Sequence, residues 1–365
     1  PRRSPVAALA GGRRGLRRAR LRREVTYFVA YNLGEVPRPG VVDRVVAGFG
    51  GRVPSVDDLL TGVDPARGAA GIVEAMTRRL PVTGSAADSA WMSQRLDRLH
   101  RMLPEPVVRA GGMGKVIRAM TGVLAIGAFD TLDAPPAERA EHLRRILPGA
   151  YALGAAYAIV DDTLQDLGKN LVSPGDRAWC HRSIRHGLAT GEPIDSAAMP
   201  DHPIAEELLD LYAMVLERYP FDRYRHLYHA AEAMYLAQHR DAAHDAGTVV
   251  AGGLTARYPD ILIKSGISRV VANILGRGTV REDCYARCLN TVVLGQFRDD
   301  LRDRDADRQA GRMTPFTVPA AGLDTNPLID LFAYDAFVAA EVFGGDPAVT
   351  DALTPEITRN AQGYL

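Results

Sequence analysis

Two runs of carboxylates carry the most telling chemistry in this chain. Asp161-Asp162-Thr163-Leu164-Gln165-Asp166 follows directly on the apolar stretch 151–160. Gln296-Phe297-Arg298-Asp299-Asp300-Leu301-Arg302-Asp303 comes later, with Asp299 placed 138 residues after Asp161. At about 100° per residue, Asp299, Asp300 and Asp303 fall within about 100° of one helix face, with Gln296 one turn earlier on it. Asp162 and Asp166 form an i,i+4 pair. Carboxylates stacked this way repel: two charges about 4 Å apart cost roughly 4 kcal/mol at an effective dielectric near 20. Something positive must hold them together. Hard divalent cations suit oxygen ligands, and Mg²⁺ takes one or two carboxylates per ion and completes its shell with water and phosphate oxygens. The competing reading is a solvated helix face laced with intrahelical ion pairs, for which residues 298–308 (RDDLRDRDADR) are well supplied. Two such clusters in one chain favour metal.

The elements that must position these groups read as helices. Residues 205–219 place Leu208, Leu209, Tyr212 and Leu216 on one stripe, with acids opposite, and residues 225–239 and 282–302 behave likewise. No β-branched run bounded by hairpin signals occurs, so the fold class predicted is all-α. Pro and Gly fall between the helices, at 37–40, 81–84, 135–136, 191–193, 200–203 and 252–253. The organisation predicted is one helical domain over residues 41–365 behind a basic, partly irregular arm over residues 1–40.

Composition narrows the function classes. Hydrophobic residues make up 47% and charged residues 24% of the chain, which excludes wholesale disorder. Nine arginines and no acid occupy residues 1–23, so the rest carries 35 basic against 44 acidic residues. An acidic body argues against nucleic acid as a partner. The longest charge-free apolar stretch, 148–160, falls short of the ~20 residues a membrane span needs. Three cysteines exclude a disulfide framework and fit a reducing compartment, and the expected location is cytoplasmic. Cys284 and Cys288, four apart, read as two small buried residues rather than a zinc site. His226, His229 and Glu232 read as a polar stripe.

In this setting the chain resembles the trans-isoprenyl diphosphate synthase family and, more broadly, the class I terpenoid synthases. The resemblance covers roughly residues 105–320 and rests on five features in order. Gly111-Gly112-Met113-Gly114-Lys115-Val116-Ile117-Arg118 looks like the family's GGKxLR segment with an insertion. The first acidic motif follows. Gln238-His239-Arg240-Asp241 is similar to a mid-chain QxxD. Lys264-Ser265 matches the lysine-hydroxyl pair that meets diphosphate. Gln296-x-x-Asp299-Asp300-x-x-Asp303 matches the second motif, followed by Gly311-Arg312 where the family has Gly-Lys.

The resemblance implies an isoprenoid-synthase helical bundle around a central cavity. In it Asp161, Asp162 and Asp166 stand opposite Asp299 and Asp303 with three Mg²⁺ ions between them. Lys264, Ser265 and Arg312 would meet the diphosphate, and Lys115 and Arg118 part of a second one. Gln296 and Asp300 would orient ligands or water. Tyr157, one turn before Asp161, would form a floor limiting chain length, and Gln238 and Asp241 would share the cavity. The implied substrate is an allylic prenyl diphosphate, and the family is commonly homodimeric.

Departures from the family pattern select among reactions. The Arg-Arg pair after the first motif is replaced by Leu167-Gly168-Lys169. Gly154 stands where a His or Gln often contacts the isopentenyl donor, and the first motif reads DDxxxD rather than DDxxD. Loss of two or three charged hydrogen bonds, each ~1.5–3 kcal/mol, would weaken donor binding severely. The expectation is therefore a terpene synthase that ionises one allylic diphosphate and cyclises or rearranges it. The alternatives are a chain-elongating prenyl diphosphate synthase making C15 or C20 products, and a non-catalytic helical partner subunit.

Overall fold

A computed structural model describes residues 5–48, 86–165, 168, 170–243, 253–309, 311, 314–317 and 326–362. All regular structure among them is helical. In chain order the elements are α1 (Pro5–Leu33), α2 (Pro39–Gly48), α3 (Ala86–Met102), α4 (Glu105–Arg109), α5 (Gly112–Asp130) and α6 (Pro136–Ala156). The π-helix π1 (Tyr157–Gln165) follows, then α7 (Pro174–Thr190), α8 (Pro203–Arg218), α9 (Phe221–Ala243), α10 (Gly253–Arg277) and α11 (Glu282–Gln309). The chain closes with α12 (Pro327–Phe337), π2 (Val338–Val342) and α13 (Pro347–Gln362). The all-α expectation holds. Local chemistry explains several helix starts: Ser173, His202 and Asn326 each accept a backbone N–H of the first turn, with Pro174, Pro203 and Pro327 directly after them.

The helices divide into two compact units, each described by itself. The first comprises Pro1–Val53, Ala246–Gly266 and Arg281–Leu365, and the second Pro54–Asp245 and Ile267–Val280. Residues 41–365, expected to form one domain, thus contribute to both, and α10 supplies its first half to one and its second half to the other.

In the second unit α5 and α6 pack side by side, with α8 against α6, α7 against α8 and α9, and π1 against α4, α5, α6 and α9. Val116, Ile117, Met120, Leu124, Leu143, Tyr151 and Ile159 are almost wholly buried. Helix α5 is long and apolar enough to cross a membrane, but 72% of that window is buried in the chain, as in a core helix. The approach of α5 to α6 explains Gly154: a Cβ there would lie 2.6 Å from the carbonyl oxygen of Val116 and 3.1 Å from Met120 Cγ. No side chain fits at this position without moving backbone.

In the first unit the N-terminal segment differs from the expected irregular arm. It forms α1, which packs on α2, α11 and α13. Leu21, Val25, Val29 and Leu33, spaced four apart, are buried along one stripe. Around Ala30 a core gathers Leu294, Leu301, Phe316, Leu331, Val338 and Leu353. Helix α1 ends at Gly34 (φ 60°), where a Cβ would lie 2.3 Å from the Cys284 carbonyl and 2.9 Å from Cys288 Sγ. Cys284 and Cys288 are buried free thiols under that turn, as their spacing suggested.

Candidate active site

Three elements of the second unit bring together side chains far apart in sequence. Lys115, in the first turn of α5, places Nζ 2.5 Å from Asp162 Oδ1 and 3.6 Å from Asp161 Oδ2, both on π1. Gln238, on α9, donates from Nε2 to Asp161 Oδ1 at 2.6 Å. The Asp162 side chain is buried, whereas those of Asp161 and Lys115 are 31% and 43% exposed. Burial works against the Lys115 ammonium, but the Asp161 and Asp162 carboxylates outweigh it and hold its pKa above the ordinary lysine value. Asp241 is buried one turn after Gln238, Arg118 is exposed one turn after Lys115, and Tyr157 is half-buried at the start of π1.

The π winding bears on the motif's odd spacing. Thr163 donates its hydroxyl to the carbonyl of Ala158, five residues back, at 2.8 Å. An α-helix separates residues five apart by about 140°, whereas a π turn, closed by i→i+5 bonds, brings them back towards one side. Asp161 and Asp166 are five apart in sequence, the interval over which a π hydrogen bond closes. Asp166 and Arg312, assigned to the site from sequence, and Lys169 lie outside the described residues. Gln165, the last residue of π1, is 9% exposed, and neither its amide oxygen nor its nitrogen has a hydrogen-bond partner. A buried amide in that state is uncommon and marks polar capacity the fold itself does not use.

The first unit holds the remaining candidates. Ser265 donates its hydroxyl to Gln296 Oε1 at 2.5 Å, and Gln296 donates from Nε2 to Asp300 Oδ1 at 2.7 Å. Asp300 is buried, and this relay fixes it. Asp299 and Asp303 are exposed and meet on one guanidinium: Arg302 lies 3.0 Å from an oxygen of each. Lys264 precedes Ser265 on α10 and is half-buried. The structure therefore gathers Lys115, Asp161, Asp162 and Gln238 in one unit, and Ser265, Gln296, Asp299, Asp300 and Asp303 in the other.

Each cluster holds a cation of the chain itself, Lys115 at the first and Arg302 at the second, which offsets part of the carboxylate charge. Repulsion alone therefore does not require a metal, and the case for one rests on the donor set. Among the described residues no three His, Cys, Asp or Glu side chains converge as a closed metal site, and His226, His229 and Glu232 form none. Each cluster instead offers two carboxylates, the number Mg²⁺ takes when water and phosphate complete its shell. Gln165, four residues after Asp161 on π1, carries a buried amide oxygen without a hydrogen-bond partner, a hard donor by type. The residues fit Mg²⁺. The Arg302 pairs are the intrahelical ion pairs that the competing reading of residues 298–308 expects. The Lys115 contact had no local signal.

One further group, where α7 meets α9, gives a pH signature. His181, on α7, has Nδ1 2.5 Å from the hydroxyl of Tyr235, and its ring centre lies 4.8 Å from that of His239. Burial, then the neighbouring His239 and Arg177, push His181 down from 6.5 to about 4. A neutral imidazole there pairs with the Tyr235 hydroxyl, whose own pKa burial raises. The unfolded chain takes up a proton near pH 6.5 while the folded one resists until about pH 4. Stability present above pH 6.5 is therefore lost as pH falls through that window. Urea midpoints at pH 7.5 and 4.5 should fall less for His181→Phe than for the natural chain. Equal falls would remove His181 as the cause.

Comparison with protein-family models, with curated proteins and with solved structures finds no match.

Proposed function

We propose that the chain is a Mg²⁺-dependent class I isoprenoid synthase that ionises an allylic prenyl diphosphate and cyclises or rearranges the hydrocarbon. The observation that carries this reading is the meeting of Lys115, Asp161, Asp162 and Gln238. These residues belong to three separate motifs that resemble the family's, and folding brings them into mutual contact. Mg²⁺ when bound supplies positive charge to a departing diphosphate. The chain's own residues do the rest. Asp161 and Asp162 present oxygens from a buried helical segment, Gln238 fixes the rotamer of Asp161, and the Ser265–Gln296 relay fixes Asp300. Lys264 offers an ammonium to diphosphate oxygens. Buried Ala158, Ile159 and Leu164 keep water from π1. No protein nucleophile is needed, and released pyrophosphate can accept the final proton.

The tight α5–α6 contact at Gly154 supports cyclisation over elongation, because the side chain that would meet an isopentenyl donor has no room there. Elongation keeps one observation in its favour: Arg118 is an exposed second cation one turn from Lys115. The deciding assay incubates the protein and Mg²⁺ with geranyl, farnesyl or geranylgeranyl diphosphate, with and without isopentenyl diphosphate. Hydrocarbon or alcohol formed without isopentenyl diphosphate is the expected result. A longer diphosphate formed only in its presence establishes elongation. No pyrophosphate release from any substrate would leave a non-catalytic helical partner.

A further inference from the structure

We propose that Lys115 is a resident counter-ion of the Asp161–Asp162 pair, which a divalent cation must displace to bind there, and that the displaced ammonium is then free to meet an anion. The proposal rests on the reading of this pair as a metal site and adds how the site is kept before metal arrives. The geometry has three parts. One ammonium reaches both carboxylates, at 2.5 Å and 3.6 Å. The Asp162 side chain is 4% exposed, so water cannot stabilise its charge and a cation must. Gln238 grips Asp161 through Oδ1 while Lys115 approaches Oδ2, so Asp161 keeps its place when the lysine leaves.

The lysine is built to leave. Its side chain is 43% exposed, and its ammonium rides on a flexible four-carbon stem. A divalent cation and an ammonium cannot share the same two oxygens, because like charges at that range repel strongly inside protein. Metal and anion therefore assist each other: an anion that draws Lys115 away uncovers the carboxylates, and a metal that takes the carboxylates releases Lys115. Thermodynamic linkage makes this coupling reciprocal.

The test measures Mn²⁺ alone, a hard paramagnetic probe for the same oxygen ligands, by the electron-spin signal of the unbound ion with the whole 365-residue chain. Lys115→Met should bind Mn²⁺ at least tenfold more tightly than the natural chain, and Mn²⁺ should raise its melting temperature more. Lys115→Arg, which keeps the charge and can grip carboxylates with two parallel bonds, should bind Mn²⁺ no better than the natural chain. A Lys115→Met chain that folds only when Mn²⁺ is present supports the proposal. Equal affinity in the natural and Met chains overturns it and leaves the synthase reading standing. Tighter binding by Lys115→Arg overturns it as well, and covers the case in which the Met variant never folds. Absence of Mn²⁺ binding by all three chains up to millimolar concentration overturns both the inference and the metal site.

Discussion

Replacing Asp161 with alanine is expected to lower Mg²⁺-dependent pyrophosphate release from an allylic diphosphate by at least about a thousandfold, or ~4 kcal/mol of transition-state stabilisation. Among the described residues Asp161 is the one carboxylate that both Lys115 and Gln238 touch, and its partial exposure leaves an oxygen edge open to a ligand. Asp162 is buried and already pairs with Lys115 in the natural chain, so removing Asp161 leaves one carboxylate facing one ammonium and the fold should persist. The measurement is steady-state pyrophosphate release over a Mg²⁺ titration, with circular dichroism to verify folding. A loss repaired by excess Mg²⁺ would mean that Asp161 contributes affinity alone. A folded variant within tenfold of the natural chain would remove the first acidic motif from the chemistry.

The largest stability effect is expected far from these carboxylates, at Arg98. Glu207 on α8 is fully buried and accepts the hydroxyl of Tyr151 at 2.8 Å. Arg98 Nε lies 3.2 Å from the other carboxylate oxygen, too oblique for a hydrogen bond, so this contact is Coulombic. Arg98 also reaches Asp210 at 2.8 Å and Glu206 at 3.5 Å, tying α3 to α8. Arg98→Ala strands a buried carboxylate beside a tyrosine that burial and the Glu207 charge keep protonated. The expected cost is about 3 kcal/mol, the low end for a broken buried pair because the Arg98 side chain is 37% exposed. Glu207→Gln keeps the shape and the Tyr151 contact without the charge, and should cost far less. Thermal and urea unfolding check both. A loss below about 1 kcal/mol for Arg98→Ala would show that solvent screens Glu207 well enough without the arginine.

Local pattern was a good guide to some elements and a poor one to others. The 3.6-residue periodicity at 205–219 and 282–302 became α8 and α11, and most of the Pro and Gly clusters inside the described residues fall at or beside helix ends. The arginines at the start hid the stripe Leu21, Val25, Val29 and Leu33, which shows that α1 has a face to bury. The kinship of Ser265, Gln296 and Asp300 was partly legible, since Gln296 and Asp300 stand one turn apart on a single helix. The winding of π1 was not, because π hydrogen bonding depends on how the segment fits against α4, α5, α6 and α9 rather than on the propensity of its residues.

By itself the sequence determined that the described elements are helical and where along each helix its carboxylates and cations fall. These properties follow from spacing along one helix, where geometry is fixed by the backbone. It did not determine every buried face: α8 buries Glu207 and Leu211, and leaves Leu209, Tyr212 and Leu216 of its expected stripe only partly covered. Tertiary structure alone decided what those side chains meet. It set Lys115 on Asp161 and Asp162, Gln238 on Asp161, and the Val116 carbonyl against Gly154. Such pairings join residues 38 to 77 positions apart, and the relative rotation and approach of packed helices, on which they depend, leave no mark in the periodicity of either helix.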